Sequence, residues 1–200
     1  MARNRRRDRR GLVLLAAQVM PWLVGITAVV LLFLFSRSQS EPSLRAVPPV
    51  ALVGDSIAVG LSGPLGEQMG HRGLAFFSDA EVGTSARQWV GRIDRVLARG
   101  PRTVIVNLGG NDAASDVLTR EFAANIRSVV DKVRAAGAQA ILLEPPSRPS
   151  PRFAIVQHGL RSTGAPVLVP GSDFDRVADG VHFTAEGYRE WARAISGALA

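Results

Sequence analysis

The sequence predicts a three-layer α/β domain with a five-stranded parallel sheet, preceded by one transmembrane helix. Five short apolar segments alternate with longer segments in which apolar residues recur every three or four positions, and this pattern predicts strands alternating with helices. Such alternation favours right-handed crossovers and a parallel sheet with helices on both faces. A further apolar segment, residues 11–35, carries no charge over 25 residues, and this length predicts a membrane span.

The N-terminal segments are interpreted from charge and length. Residues 1–10 form a basic tail with six arginines and one aspartate. As a helix, residues 11–35 would reach about 38 Å, more than the roughly 30 Å of a hydrocarbon core. They exceed the apolar part of a signal peptide and no clear Ala-x-Ala site follows, so we expect an uncleaved signal anchor. The positive-inside rule then places the tail in the cytoplasm and residues 36–200 in the periplasm or at the cell surface.

Residues 36–49, a mixture of Ser, Pro, Gln and Arg, form a linker to a predicted domain of residues 50–200. The expected strands are Val50–Val53, Leu74–Phe77, Thr103–Leu108, Gln139–Leu143 and Pro166–Val169. Three helices are expected from apolar stripes, which are Trp89, Ile93, Val96 and Leu97; Phe122, Ile126, Val129, Val130 and Val133; and Tyr188, Trp191, Ile195 and Leu199. A domain of this size can bury a core that needs no disulfide bond.

Charge and composition exclude several classes of protein. The net charge of +7 comes mostly from the basic tail, which carries +5 and leaves +2 on the other 190 residues. This balance gives no basic surface for DNA or RNA, so we expect no nucleic acid partner. The chain has no cysteine, which excludes a thiolate nucleophile, a cysteine zinc site and an iron–sulfur cluster.

A serine follows the first expected strand. Val50–Val53 leads into Gly54, Asp55 and Ser56, so the turn carries the Ser56 hydroxyl to the carboxyl edge of the sheet, where functional groups gather in such folds. Taken alone, Asp55 or Ser56 is at least as easily explained as a helix N-cap.

An acid and a histidine, Asp179 and His182, precede the last expected helix. A spacing of three residues in a tight turn can hold a carboxylate against one ring nitrogen and leave the other free to accept a proton from serine. In the alternative interpretation, Asp179 only braces the turn. Neither of the other two histidines, His71 and His158, has an acid at this spacing.

Two glycine-containing turns offer hydrogen-bond donors. The third expected strand is followed by Gly109, Gly110, Asn111 and Asp112, and the Asn111 carboxamide there can donate to an oxyanion. Gly83 follows the second strand, and its backbone N–H is another candidate donor. Each pattern by itself is also ordinary loop chemistry.

Together these four segments resemble the SGNH hydrolases, also called GDSL esterases and lipases, over residues 50–200. The family is named for Ser, Gly, Asn and His in separate blocks, and the matching residues in this chain are, in the same order, Ser56, Gly83, Asn111 and His182. The resemblance implies a flavodoxin-like fold with Ser56 as nucleophile and with Asp179 and His182 completing the triad. It also implies an oxyanion hole formed by Ser56, Gly83 and Asn111. Phe183 departs from the proline that is common after the family's histidine.

The expected function is that of a membrane-anchored serine esterase outside the cytoplasm, which hydrolyses carboxylic esters through an acyl-enzyme on Ser56. No metal or organic cofactor is implied, because the chain supplies nucleophile, base and oxyanion donors. Polar residues after Gly83 favour small acyl groups on envelope glycans as the substrate; they are Thr84, Ser85, Arg87 and Gln88. Three alternatives stay open: an O-acetyltransferase with the same triad, a lysophospholipase or other lipid esterase, and a catalytically silent envelope-binding module.

Overall fold

The structure is a computed structural model that describes residues 44–146, 149–171 and 174–199. The basic tail, the expected membrane span and most of the linker lie outside these residues. Within the described part of the chain, no helix is both long and apolar enough to cross a membrane.

A sheet of five parallel strands forms the centre of the domain, in the order β2-β1-β3-β4-β5. The strands are β1 (Val50–Gly54), β2 (Phe76–Ala80), β3 (Thr103–Asn107), β4 (Gln139–Leu143) and β5 (Val167–Leu168). This is the strand order of flavodoxin-like doubly wound sheets. The predicted three-layer fold and its five-stranded parallel sheet are confirmed.

Helices cover both faces of this sheet. They are α1 (Ser56–His71), α2 (Ala86–Leu97), α3 (Gly110–Ala113), α4 (Asp116–Ala135), α5 (Pro151–Ser162) and α6 (Ala185–Ala198). Ser115, Ser150 and Thr184 cap the starts of α4, α5 and α6, where each side-chain oxygen accepts a backbone N–H of the first turn. The three expected apolar stripes lie on α2, α4 and α6, and nearly all of their residues are buried.

Two apolar cores result from the alternation of side chains along each strand. In β1, Ala51 and Val53 face α2, α4 and α5, whereas Val50 and Leu52 face α1 and α6. Every residue of β1 and β3 is buried. This burial on both faces explains why these strands are largely apolar rather than alternating.

Strands β1, β3 and β5 depart from their predicted bounds by one residue at one or both ends, and two regions differ by more. The sequence predicts the second strand at Leu74–Phe77, but β2 begins at Phe76 and runs to Ala80. Because β2 is an edge strand and only partly buried, it contains Ser78 and Asp79, and apolar residues alone do not mark its end. The last part of the expected linker packs on the domain: Ala46 is buried, and the Val47 N–H donates to Thr103 Oγ1 at 2.8 Å.

Candidate active site

Ser56 begins α1 directly after the sharp turn that ends β1. Gly54 in this turn has a φ of 156°, and a β-carbon there would collide with the Asn107 carbonyl of the neighbouring strand β3. Asp55 is buried and caps the helix, since its Oδ1 accepts the Ile57 N–H at 3.0 Å. The turn therefore holds Ser56 at the carboxyl edge of the sheet, half-buried at the start of the helix.

Asp179 and His182 lie in a tight loop between β5 and α6. The loop is closed by a backbone bridge between Arg176 and Phe183 and by the Val177 N–H, which donates to the His182 carbonyl at 3.0 Å. Within it, Asp179 Oδ1 accepts the backbone N–H groups of Val181 and His182 at 2.7 and 2.9 Å. These bonds fix the carboxylate next to the imidazole ring.

A chain of two hydrogen bonds joins Ser56, His182 and Asp179. His182 Nδ1 lies 2.7 Å from Asp179 Oδ2, and His182 Nε2 lies 2.9 Å from Ser56 Oγ. If Nδ1 donates its proton to Asp179, Nε2 is left as the acceptor for the Ser56 hydroxyl. An imidazole held in this way can take a proton from serine.

The Asp179 carboxylate stays charged over a wide pH range. The hydrogen bond from His182, followed by the two backbone N–H bonds, lowers the pKa of Asp179 to about 2. Hydrogen bonds to the charged form of an acid favour that form. A permanently ionised carboxylate can both orient the imidazole and stabilise the imidazolium that forms when serine gives up its proton.

The expected oxyanion donors gather beside this chain of bonds. Asn111 Nδ2 donates to the Thr84 carbonyl at 3.0 Å and lies 3.5 Å from Asp55 Oδ2. Asn111 therefore lies between the residue after Gly83 and the residue before Ser56. The backbone N–H groups of Ser56 and Gly83 have no backbone acceptor among the described residues, so each can donate a hydrogen bond to a ligand oxygen.

Two supporting residues were not recognised from the sequence. Asp112 is fully buried, and both of its carboxylate oxygens accept the Ala86 N–H, at 3.2 and 3.1 Å. It thereby ties the start of α2, which follows Gly83, to the turn that carries Asn111. Arg176 donates from its guanidinium to the Val181 carbonyl at 3.2 Å and stacks over the Phe183 ring. No sequence pattern marks either contact. The bond from Ala86 to Asp112 joins distant segments, and the bond from Arg176 to Val181 lies within an irregular loop.

Burial strongly affects the two acids at this edge of the sheet. Desolvation raises the pKa of Asp55 to about 6, and the nearby Asp112 charge adds to the increase. Desolvation likewise raises the pKa of Asp112 to about 6. Both values exceed the ordinary range of aspartate because the charged form is costly in a buried site.

The polar exit from Gly83 is smaller than the sequence predicts. Thr84 and Ser85 are buried. The Thr84 hydroxyl donates to the Glu81 carbonyl at 2.8 Å and accepts from Trp89 Nε1 at 3.0 Å. The Ser85 hydroxyl donates to Gln88 Oε1 at 3.2 Å within a capping box. Their hydroxyls are therefore consumed by the turn itself, and only Arg87 and Gln88 expose polar side chains here.

Phe183, which replaces the common proline, has a packing role. It is 3% exposed and makes edge-to-face contacts with Phe174, Tyr188 and Trp191. A large aromatic side chain at this position anchors the loop to the core beneath α6.

Comparison with solved structures shows the same fold in several proteins, two of which are named as esterases. TesA is 22% identical with a TM-score of 0.63, over 75% of this chain and 97% of that protein. The esterase EstA from Pseudoalteromonas, inhibited by monoethylphosphonate, is 18% identical with a TM-score of 0.62, over 75% and 95% of the two chains. A mutant of Axe2, an acetyl-xylooligosaccharide esterase from Geobacillus, is 18% identical with a TM-score of 0.62, over 79% and 96%.

A search of curated proteins found no match. The model of the GDSL-like Lipase/Acylhydrolase family, in contrast, matches residues 52–190. This match covers more than half of the chain and includes Ser56, Gly83, Asn111 and His182. The chain belongs to the GDSL-like lipase/acylhydrolase family and is an ester hydrolase.

Proposed function

We propose that the protein hydrolyses carboxylic esters through an acyl-enzyme on Ser56. The observation that carries this proposal is the chain of hydrogen bonds from Ser56 through His182 to Asp179, at 2.9 and 2.7 Å. His182 Nε2 takes the hydroxyl proton while Ser56 Oγ bonds to the carbonyl carbon, and the same proton then passes to the departing alcohol oxygen. Water then gives a proton to His182 as its oxygen bonds to the acyl carbon; the bond from that carbon to Ser56 Oγ breaks, Oγ takes the proton back from His182, and the acid leaves.

The tetrahedral intermediate is stabilised by donors from three loops. Its oxyanion accepts from the backbone N–H groups of Ser56 and Gly83 and from the Asn111 carboxamide. Asn111 Nδ2 carries two protons, and one of them is held only by the long 3.5 Å contact with Asp55. The reaction proceeds with groups that the chain itself supplies, without a cofactor.

Water is the proposed acyl acceptor, in preference to a second sugar or lipid hydroxyl. The His182 side chain is 39% exposed and that of Asp179 is 47% exposed. An acyltransferase has to keep water away from its acyl-enzyme. The exposure of the proposed base therefore supports hydrolysis over the O-acetyltransferase alternative.

The proposed substrates are small acyl groups, such as acetyl, on glycans of the cell envelope. Axe2, which has a similar fold, is an acetyl-xylooligosaccharide esterase. The exposed Arg87 side chain, in the first turn of the helix that follows Gly83, also favours a hydrophilic substrate over a lipid. The envelope location follows from the proposed anchor, residues 11–35, with the tail in the cytoplasm and the enzyme outside.

Product analysis on an O-acetylated envelope glycan tests this proposal. We expect the full-length protein to release all of the acetyl groups as free acetate, whether or not an unacetylated glycan is added. Acetate that instead appears on the added glycan would identify an acetyltransferase. Release only from lysophospholipids, with none from the glycan, would overturn the glycan substrate.

A further inference from the structure

A cavity of about 410 Å³ opens at the carboxyl ends of β4 and β5. It lies between the segment after β4, the first turns of α5 and the segment after β5. Its walls include Glu144, Phe153, Gln157 and Arg176. The volume is at the lower end of the range for small-molecule sites.

None of the proposed catalytic residues lines this cavity, but two of its walls contact the segments that carry them. A β-carbon placed on Gly110 would lie 3.5 Å from Asp55 Oδ2 and 4.0 Å from Pro145 Cβ, which belongs to the cavity wall. Arg176, on another wall, donates to the carbonyl of Val181, the residue before His182. Gly110 therefore separates the cavity from the turn that carries Ser56. On its other side, the cavity borders the loop that carries His182.

The position of the cavity favours the alcohol half of the ester over the acyl half. When the acyl-enzyme forms, the alcohol oxygen has to reach His182 Nε2 to receive the proton. The acyl carbonyl has to point at Gly83 and Asn111, which follow β2 and β3. The cavity lies beyond β3 and next to the His182 loop, on the side of the alcohol.

The cavity contains a carboxylate that is almost completely buried. The Glu144 side chain is 7% exposed, and its two oxygens accept from Gln157 Nε2 at 2.7 Å and from the Arg161 guanidinium at 3.1 Å. Each carboxylate oxygen has a second lone pair that can accept a further hydrogen bond. The Glu144 carboxylate, the Gln157 carboxamide and the Arg176 guanidinium line the same small cavity and provide acceptors and donors for several hydroxyl groups.

The remaining wall is apolar and rigid. It includes Pro145, Pro146 and Phe153, all buried, and Pro170, which is half-buried. Proline and phenylalanine side chains lose little conformational freedom when a ligand packs on them. A ligand that fits this cavity has a compact apolar face and a hydroxyl-bearing edge, which is the chemistry of a sugar ring. An acyl chain would offer no hydrogen-bond donor to the remaining lone pairs of the Glu144 carboxylate.

We propose that this cavity binds the sugar ring whose ester is cleaved. Glu144 accepts hydrogen bonds from the free hydroxyls of the ring, and Gln157 donates to them. The proposal rests on the proposed esterase function and adds the position and chemistry of the alcohol half of the substrate. In the reaction, the bond between the acyl carbon and the sugar oxygen breaks, the bond to Ser56 Oγ forms, and the sugar oxygen takes the proton from His182.

The test compares two acetyl esters on the full-length protein, a mono-O-acetylated methyl glucoside and p-nitrophenyl acetate, which has no sugar. The variants are Gln157→Ala and Glu144→Gln, with Gln139→Ala, at the opposite end of β4, as the control. We expect the ratio of kcat/KM for the glucoside over that for p-nitrophenyl acetate to fall about three- to ten-fold in Gln157→Ala. Glu144→Gln, which removes a charged acceptor, should lower it by at least as much. Gln139→Ala should keep the wild-type ratio.

Each outcome supports or overturns the inference. A ratio that stays at the wild-type value in Gln157→Ala and Glu144→Gln, with both variants melting like the wild type, overturns it. If Glu144→Gln does not fold, Gln157→Ala decides alone, because its side chain is only half-buried. A wild-type protein that prefers p-nitrophenyl octanoate, with the preference lost in Gln157→Ala, identifies an acyl-chain site instead. A wild-type protein that cleaves neither acetyl ester contradicts the proposed function itself, which separates the two failures.

Discussion

At the scale of single residues, the Asn111 carboxamide combines an observed structural contact with a proposed catalytic one. One Nδ2 proton binds the Thr84 carbonyl at 3.0 Å, which holds the side chain in place before substrate arrives. Because an oxyanion donor is most effective when it needs no rearrangement during the reaction, this fixed position is part of the proposed catalysis.

The Asn111→Ala variant measures the value of this donor. We expect turnover of p-nitrophenyl acetate to fall roughly a hundred- to a thousand-fold, or about 2.7–4 kcal/mol. KM should change little, since the charge that Asn111 stabilises exists only near the transition state. Asn125→Ala, in the middle of α4, is the matched control. A loss that falls on KM alone would show that Asn111 binds the ground state.

The buried acids Asp55 and Asp112 make stability depend on pH. Their pKa values of about 6 in the folded protein exceed the ordinary value of 3.8, so the folded state holds these protons more tightly than the unfolded chain. The free energy of unfolding therefore falls as the pH rises from about 4 to about 6, and levels off above that. The contribution of each group is between about 1 and 3 kcal/mol.

Asp55→Asn tests this dependence, because asparagine keeps the N-cap acceptor for Ile57 and removes the charge. We expect the loss of stability between about pH 4.5 and pH 7 to be smaller in the variant than in the wild type, by urea unfolding. The arginine partners of Glu81 and Glu186 lower the pKa values of these two acids. Their effect on stability therefore falls below about pH 4.5 and does not obscure the test. An identical pH slope in both proteins would contradict the assignment.

At the scale of elements, the turn from β1 into α1 is where backbone geometry determines the site. Gly54→Ala would drive a β-carbon into the Asn107 carbonyl at a positive φ, and we expect a loss of more than about 3 kcal/mol in stability. Gly63→Ala, in α1 with open space around it, should instead stabilise the protein by about 0.5–1 kcal/mol. Thermal unfolding of the two variants checks both signs. A Gly54→Ala protein as stable as the wild type would show that β1 and β3 can separate.

The elements also show what the sequence can predict. Strands β1, β3 and β4 follow from apolar runs, because they are buried on both faces. The edge strand β2 is partly exposed, so its second half carries polar residues and its end is not predictable from hydrophobicity. Helices α1 and α5 lack a clear apolar stripe, and α1 contains Pro64 and several glycines. The hydrogen bond between Asp112 and Ala86 and the Glu144 cavity depend on contacts between distant segments, which no local pattern contains.

At the scale of the whole molecule, the chain combines an enzyme domain with a proposed membrane anchor. Full-length protein in isolated membranes should be released by detergent and should remain after a high-salt wash. A 25-residue apolar segment is held by hydrophobic burial, whereas a basic tail alone would be held by charges that salt screens. Recovery of the intact chain in the salt wash would contradict the anchor and leave the esterase proposal unaffected.

The most direct test of the central claim is labelling of the full-length protein by a fluorophosphonate, with mass spectrometry to locate the adduct and esterase assays beside it. We expect a single adduct on Ser56, none in Ser56→Ala, and a loss of turnover in that variant that approaches roughly a million-fold. Ser62→Ala, which changes the next serine along α1, should label and turn over like the wild type. A folded Ser56→Ala protein that keeps wild-type esterase activity would contradict the mechanism.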